Sequence, residues 1–198
     1  MKIIATHCKN EKRPIILVEG RRSLPAGVAE QLSALGRQLA ETVSHATFRS
    51  GNAEGSDASF ANGIASVDPR RIQLVVTTPG MGRKRRPPEA PIFSLSELPQ
   101  SELETLCDIT CEASPDSKRL AMAACGRIKS PYLAGRGRYL LRDTLKVTGS
   151  KHLDIPPATL GIFYIDLENP DAGGTGHTIR VCRKLGIGVV TQDSFLTT

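Results

Sequence analysis

The segment from Leu160 to Leu185 constrains the fold of this chain more than any other. An apolar run with a β-branched and aromatic bias, Leu160 to Leu167, precedes Asp171-Ala-Gly-Gly-Thr-Gly-His-Thr-Ile-Arg180. From Thr178 to Leu185, apolar residues recur at Ile179, Val181, Cys182 and Leu185, close to helical spacing. Strand, glycine-rich turn and helix in that order predict an α/β unit with an anion cradle at the start of the helix. Glycine lets the backbone approach an anion closely, the first-turn N–H groups have no intrahelical partner, and the macrodipole adds positive charge at the same end.

The same alternation runs through the first half of the chain. Arg13 to Glu19 holds a short continuous apolar run, as a central parallel strand does, and ends in Gly20-Arg-Arg-Ser-Leu-Pro25. Pro25 fits the first turn of a helix, with the cap near Ser23 or Leu24. Val28, Leu32, Leu35, Leu39 and Val43 carry that helix to about Ser44. Ala46 to Arg49 reads as a brief strand, Ser50-Gly-Asn-Ala-Glu-Gly-Ser-Asp57 as a second glycine loop, and Ser56 to Ala65 as a helix. Ile72 to Thr78 is the third strand and Gly186 to Gln192 the last. These units predict a doubly wound, mostly parallel Rossmann-like α/β sheet with helices on both faces, in one domain over 1–198.

Residues 79–150 interrupt the pattern. The stretch 79–96, rich in Pro, Gly and basic side chains, reads as a mobile loop. Leu98 to Ala113 and Lys118 to Ile128 read as helices, and Leu133 to Lys146 as a further helix or an irregular basic segment. The whole is too long for a simple crossover, so it predicts a helical, basic insertion over one face or end of the sheet.

Three loops are expected at the carboxyl ends of strands, where α/β sheets bind ligands. In the second, the N–H groups with Ser50, Gly51, Gly55 and Ser56 can hold phosphate, and Glu54 and Asp57 can take ribose hydroxyls; otherwise it is a turn with an N-cap serine or aspartate. Gly20, Arg21 and Arg22 offer paired hydrogen bonds to phosphate, or form a surface turn. Gly173, Gly174, Thr175, Gly176 and Thr178 form the late cradle. His177 can bind phosphate or move a proton near neutral pH, or simply complete the loop.

Net charge is +6, concentrated in Arg83-Lys84-Arg85-Arg86 and again between Arg127 and Arg142. These clusters suit a nucleic-acid backbone, a small phosphorylated ligand or a solvated face. With 4% aromatic residues and no Trp, a single-strand stacking platform is disfavoured. The five cysteines show no C-x-x-C spacing, so they read as small apolar residues in a reduced, cytoplasmic setting; His7-Cys8 beside Lys9 reads as an exposed terminus. No metal site, cofactor, signal peptide or membrane span is expected. The P-loop pattern Gly-x-x-x-x-Gly-Lys-Ser/Thr is missing, and Gly-x-Gly-x-x-Gly does not follow the first strand, which argues against P-loop hydrolysis and an ordinary NAD dehydrogenase.

Ser50-Gly-x-Ala-x-Gly-x-Asp57 followed by Gly173-Gly-Thr-Gly176 after a late strand resembles the SLOG superfamily. These are Rossmann-like domains that include the DNA-processing protein A proteins and the LOG, or lysine-decarboxylase-like, phosphoribohydrolases. The likeness is to small bacterial and phage members and spans roughly residues 13–192, with Gly135-Arg-Gly-Arg-Tyr-Leu-Leu-Arg-Asp143 as the middle counterpart. The resemblance implies a nucleotide or nucleotide-derived ligand over the two glycine loops, with Arg21, Arg22 and Arg138 or Arg142 as counter-charge. It also implies pairing as a dimer through the helices at 97–128. In LOG enzymes the pattern Gly-Gly-x-Gly-Thr-x-x-Glu supplies a glutamate that acts on the N-glycosidic bond of a nucleoside monophosphate. Here His177 replaces the threonine and Arg180 the glutamate, which shifts the expectation from cleaving a nucleotide to holding one. Glu54, Asp57, Asp143 and His177 are the candidates for residual catalysis. The alternatives are a LOG-like hydrolase and a DNA-binding protein that uses Arg83, Lys84, Arg85 and Arg86.

Overall fold

The computed structural model describes residues 2–9 and 11–195. Its frame is a sheet of six parallel strands in the order β4-β3-β2-β1-β5-β6. The strands are β1 (Ile15–Gly20), β2 (Thr47–Ser50), β3 (Ile72–Val76), β4 (Ile92–Ser94), β5 (Leu160–Tyr164) and β6 (Gly188–Thr191). The fold is α/β, Rossmann-like and doubly wound.

Burial along β1 follows from its central position. Ile16, Leu17 and Val18 are fully buried, and alternate side chains serve opposite layers. Ile16 and Val18 join the layer made by α1 (Lys2–Lys9), α2 (Val28–Thr42) and α3 (Ser56–Ala65). Ile15 and Leu17 face the other layer, with Val147 of α6 (Pro131–Thr148) and Ile179, Val181 and Cys182 of α7 (Gly173–Lys184). Helices α4 (Gln100–Ala113) and α5 (Lys118–Ala124) extend that second layer through Leu106, Cys107 and Ala121, packed with Leu141 and Leu145. Each fully buried aliphatic side chain contributes about 1.5–3 kcal/mol relative to exposure.

Several expectations are corrected. Helix α1 is an element that the sequence pattern does not predict; Cys8, expected at an exposed terminus, is 1% exposed and packs in the first core layer with Ile4. Helix α2 starts at Val28 rather than at Pro25, because Pro25 instead opens a turn whose carbonyl accepts from Val28 N–H, and Gly27 sits at φ 78°. The region expected as a loop over 79–96 contains β4, which adds to the edge of β3 through the pairs Leu74 with Ile92 and Val76 with Ser94. Of the two readings of Leu133 to Lys146 the helix is the one found, running from Pro131 through Thr148. Helix α7 begins at Gly173, so the glycines expected as a turn before a helix form its first turn. Among the described residues no helix is long and apolar enough to cross a membrane.

Candidate functional site

The chain runs β1 to β4 outward on one side of β1, then crosses back through α4, α5 and α6 to lay β5 on the other side. The sheet therefore reverses its winding between β1 and β5, whose carboxyl ends meet at the register pair Gly20 and Tyr164. A crevice opens at such a switch point because the connections leave toward opposite faces. Here it is a cavity of about 590 Å³, bounded by the loop after β1, the start of α3, one face of α6 and the start of α7.

The start of α7 supplies backbone donors. Ala172, its N-cap, offers no side-chain acceptor, and Gly176 N–H closes the first helical bond on Ala172 O at 3.1 Å. The N–H groups of Gly173, Gly174 and Thr175 precede that bond and have no intrahelical acceptor. All three residues line the cavity. Gly173 has φ 63°, and a Cβ on Gly174 would lie 2.8 Å from Asp143 Oδ2, so both positions favour glycine. Gly176, His177 and Thr178 are buried behind this turn, outside the cavity lining; Thr178 Oγ1 donates to Gly174 O at 3.0 Å.

The Ser50–Asp57 loop has a different character. Asp57 is buried at the start of α3 and accepts from Gly20 N–H (3.3 Å), Gly51 N–H (3.1 Å) and Ala53 N–H (3.3 Å). Ser56 Oγ donates to Arg21 O at 2.9 Å, and Ser56 N–H donates to the same carbonyl. Gly51 O accepts from the Arg142 guanidinium at 2.6 Å. Gly55 holds φ 77° where the Arg22 carbonyl crowds its α-carbon. The loop thus ties β1, β2, α3 and α6 together, and only Ala53 and Asp57 of it reach the cavity. Ser50, Gly51, Gly55 and Ser56 do not line it. Neither does Glu54, which is exposed and paired with Arg85 at 2.9 Å.

The floor holds residues that sequence reasoning misses. Glu19 follows Ile15 and Leu17 in the alternation of β1, which aims it at α6, and it is 4% exposed. Its Oε2 accepts from Lys146 Nζ, and its Oε1 has no hydrogen-bond partner. Lys146 Nζ also stands 2.9 Å from Asp143 Oδ1, and Arg142 Nε is 3.0 Å from the same oxygen. Burial pushes the Glu19 carboxyl up to about 7, partly opposed by Lys146. Burial also works against charge on Asp143, but Arg142 and Lys146 outweigh it and hold that carboxyl below the usual range. Burial similarly opposes charge on Lys146, and Asp143 and Glu19 overcome it to raise the ammonium. A signal for Glu19 does exist in the sequence: a lone carboxylate closing a central apolar strand at the ligand-binding end.

Arginines form the rim. Arg21 and Arg22 line the cavity, Arg21 lying 3.8 Å from Asp166. On α6 the lining side chains are Arg136, Tyr139, Leu140, Arg142 and Asp143, which helical periodicity gathers on one face. Arg138 falls outside that set, so Arg136 takes the place expected for it. Arg180 also lines the cavity, its Nε donating to Ser114 Oγ (3.0 Å) and its terminal nitrogen to Asp171 O (2.8 Å).

His177 is fully buried behind α7, with Nδ1 2.7 Å from Ser114 Oγ and Nε2 3.0 Å from Thr144 Oγ1. Burial pushes its imidazole down to about 4. A neutral ring with both nitrogens engaged ties α7 to α6 and to the residue that caps the end of α4, and is not presented to the cavity. The run Arg83 to Arg86 lies in the loop before β4, outside the cavity lining, with Arg83, Lys84 and Arg85 exposed. Among the described residues no group of three or more His, Cys, Asp or Glu is arranged to hold a metal ion. No protein-family model, curated protein or solved structure matches this chain.

Proposed function

We propose that the cavity binds a nucleotide or nucleotide-derived phosphorylated ligand, with its phosphate on the Gly173, Gly174 and Thr175 N–H groups. One observation carries this reading: three backbone donors without intrahelical acceptors open into a switch-point cavity rimmed by Arg21, Arg22, Arg136 and Arg180. A helix N-terminus combines aligned N–H donors with the positive end of the macrodipole, and guanidinium groups add charge-assisted bonds to phosphate oxygens. The volume, about 590 Å³, is in the range of small-molecule sites. The resemblance to SLOG domains is consistent with this ligand class and remains part of the proposal.

A second reading, cleavage of a nucleotide's N-glycosidic bond, is favoured by the buried carboxylates of Glu19 and Asp143 in the same cavity. DNA binding through Arg83 to Arg86 is the third. A thermal-shift panel separates them. Nucleoside mono-, di- and triphosphates are expected to raise the melting temperature in a concentration-dependent way, by mass action on the folded state. Release of free base from a nucleoside monophosphate would support the hydrolase reading. Stabilisation by single-stranded DNA, with none by any nucleotide, would overturn the cavity reading.

A further inference from the structure

Glu19 is costly for the fold. Every preceding residue of β1 is aliphatic, and a carboxylate in that central strand is taken out of water where Val or Ile would pack. Its neighbours do not satisfy it. Lys146 reaches only Oε2 and is shared with Asp143, while Oε1 is buried, lacks a donor and belongs to a residue that lines the cavity. The charged and titratable groups around it are Asp57 from α3, Asp143 and Lys146 from α6, and Cys182 from α7. Arg142 and His177 stand one step further, beside Asp143. Asp57 is occupied by three backbone donors and Asp143 by two cations. Asp143 Oδ1 also lacks a donor in hydrogen-bonding geometry, but Arg142 and Lys146 stand within 3.0 Å of it, whereas Glu19 Oε1 is buried without a donor.

The position of that oxygen relative to the cradle says what would suit it. Asp143 links the two places: its Oδ1 shares Lys146 with Glu19, and its Oδ2 approaches Gly174 on the cradle. A ligand whose phosphate sits on Gly173 to Thr175 therefore places its adjoining group, not its far end, over Glu19. In a nucleotide that adjoining group is the sugar, which carries hydroxyl donors. We infer that Glu19 is a specificity residue that accepts a hydrogen bond at Oε1 from the vicinal hydroxyls of a ribose 5-phosphate unit. This inference rests on the proposed phosphate cradle.

A hydroxyl donor favours the ionised carboxyl, so binding through Glu19 releases a proton when the pH lies below the midpoint of its titration, and none well above it. Calorimetry on the whole chain tests this with three probes: ribose 5-phosphate, its analogue lacking both the 2- and 3-hydroxyls, and inorganic phosphate. Ribose 5-phosphate is expected to bind about ten-fold or more tightly than the dideoxy analogue, as for a lost hydrogen bond to a charged group. Because the two sugars carry the same phosphate, the difference between their heats in two buffers of unlike ionisation enthalpy isolates the Glu19 proton. That difference should disappear one pH unit above the midpoint. In Glu19→Gln the preference should shrink to about two-fold, with phosphate binding retained. Equal affinity and equal proton release for the two sugars by the wild-type protein would overturn the role of Glu19 while leaving the cradle standing, and this comparison requires no variant to fold. Failure of all three probes to bind would overturn the cradle, and the inference with it.

Discussion

The two glycine-rich loops have similar composition and opposite uses. Between Ser50 and Asp57, most polar groups are spent within the protein, the buried Ser50 Oγ being an exception: Asp57 accepts from three N–H groups, Ser56 donates to the Arg21 carbonyl, Gly51 O accepts from Arg142, and Glu54 pairs with Arg85. Between Gly173 and Thr175 the N–H groups precede the first helical bond of α7 and belong to residues that line the cavity. The difference lies in the side chains at the mouth of each helix. Asp57 supplies an acidic side chain that folds back over its own loop, as a buried acceptor does when it replaces water for several donors. Helix α7 is capped by Ala172, which has no side chain able to do this. Glycine permits both conformations, and the nearest polar side chain decides whether the donors are used up or left for a ligand.

Breaking the clamp should have the largest effect. Asp57→Ala leaves three buried or half-buried N–H groups without an acceptor, each worth about 1–3 kcal/mol when unsatisfied. Chemical denaturation should show a loss of at least about 3 kcal/mol, and Asp57→Asn, which keeps one acceptor oxygen, a clearly smaller one. A loss under about 1 kcal/mol for the alanine variant would mean that the loop is not held by Asp57, and the contrast between the two loops would collapse.

Breaking the cradle should cost binding rather than stability. Thr175→Glu puts a carboxylate beside the open N–H groups, where the helix dipole stabilises it by about 0.3–1 kcal/mol. Its side chain then competes for the place of a phosphate. The variant is expected to melt at or slightly above the wild-type temperature, yet to lose at least about ten-fold in affinity for the nucleotide that stabilises the wild type best. Unchanged affinity would move the anion away from α7.

Whether a feature is legible in the sequence depends on the range of the contacts that create it. The helix Ser56–Ala65 and the strands other than β4 come from local periodicity and apolar runs, which burial imposes directly on the sequence. The start of α2 does not, because Pro25 suits a turn as well as a first helical turn, and Gly27 at φ 78° decides between them. Strand β4 has three residues between proline-rich flanks, too few for any period to register. The cavity floor is the harder case. Glu19 and Lys146 are separated by 127 residues, and nothing local to either says that they meet. In the sequence Asp143 is only one carboxylate among several, and His177 reads as accessible because its burial depends on Ser114 and Thr144 from outside its own helix.

The smallest effect tests the same point on one helix. Both Arg136 and Arg138 belong to a basic stretch that suits an anion, and sequence alone favours Arg138. Two residues on a helix differ by about 200° in direction, so they cannot serve one face. Both are exposed, but Arg136 shares the cavity face with Tyr139 and Asp143, whereas Arg138 does not line the cavity. Neutralising a rim charge changes affinity modestly, because water and salt screen it. Arg136→Gln should therefore weaken binding of the same nucleotide by about three-fold, more at low ionic strength, while Arg138→Gln leaves it within error. If the two variants weaken binding equally, the arginines act only through the overall field of the protein. The rim then has no defined geometry, and the specificity of the cavity rests on the α7 donors and the Glu19 floor alone.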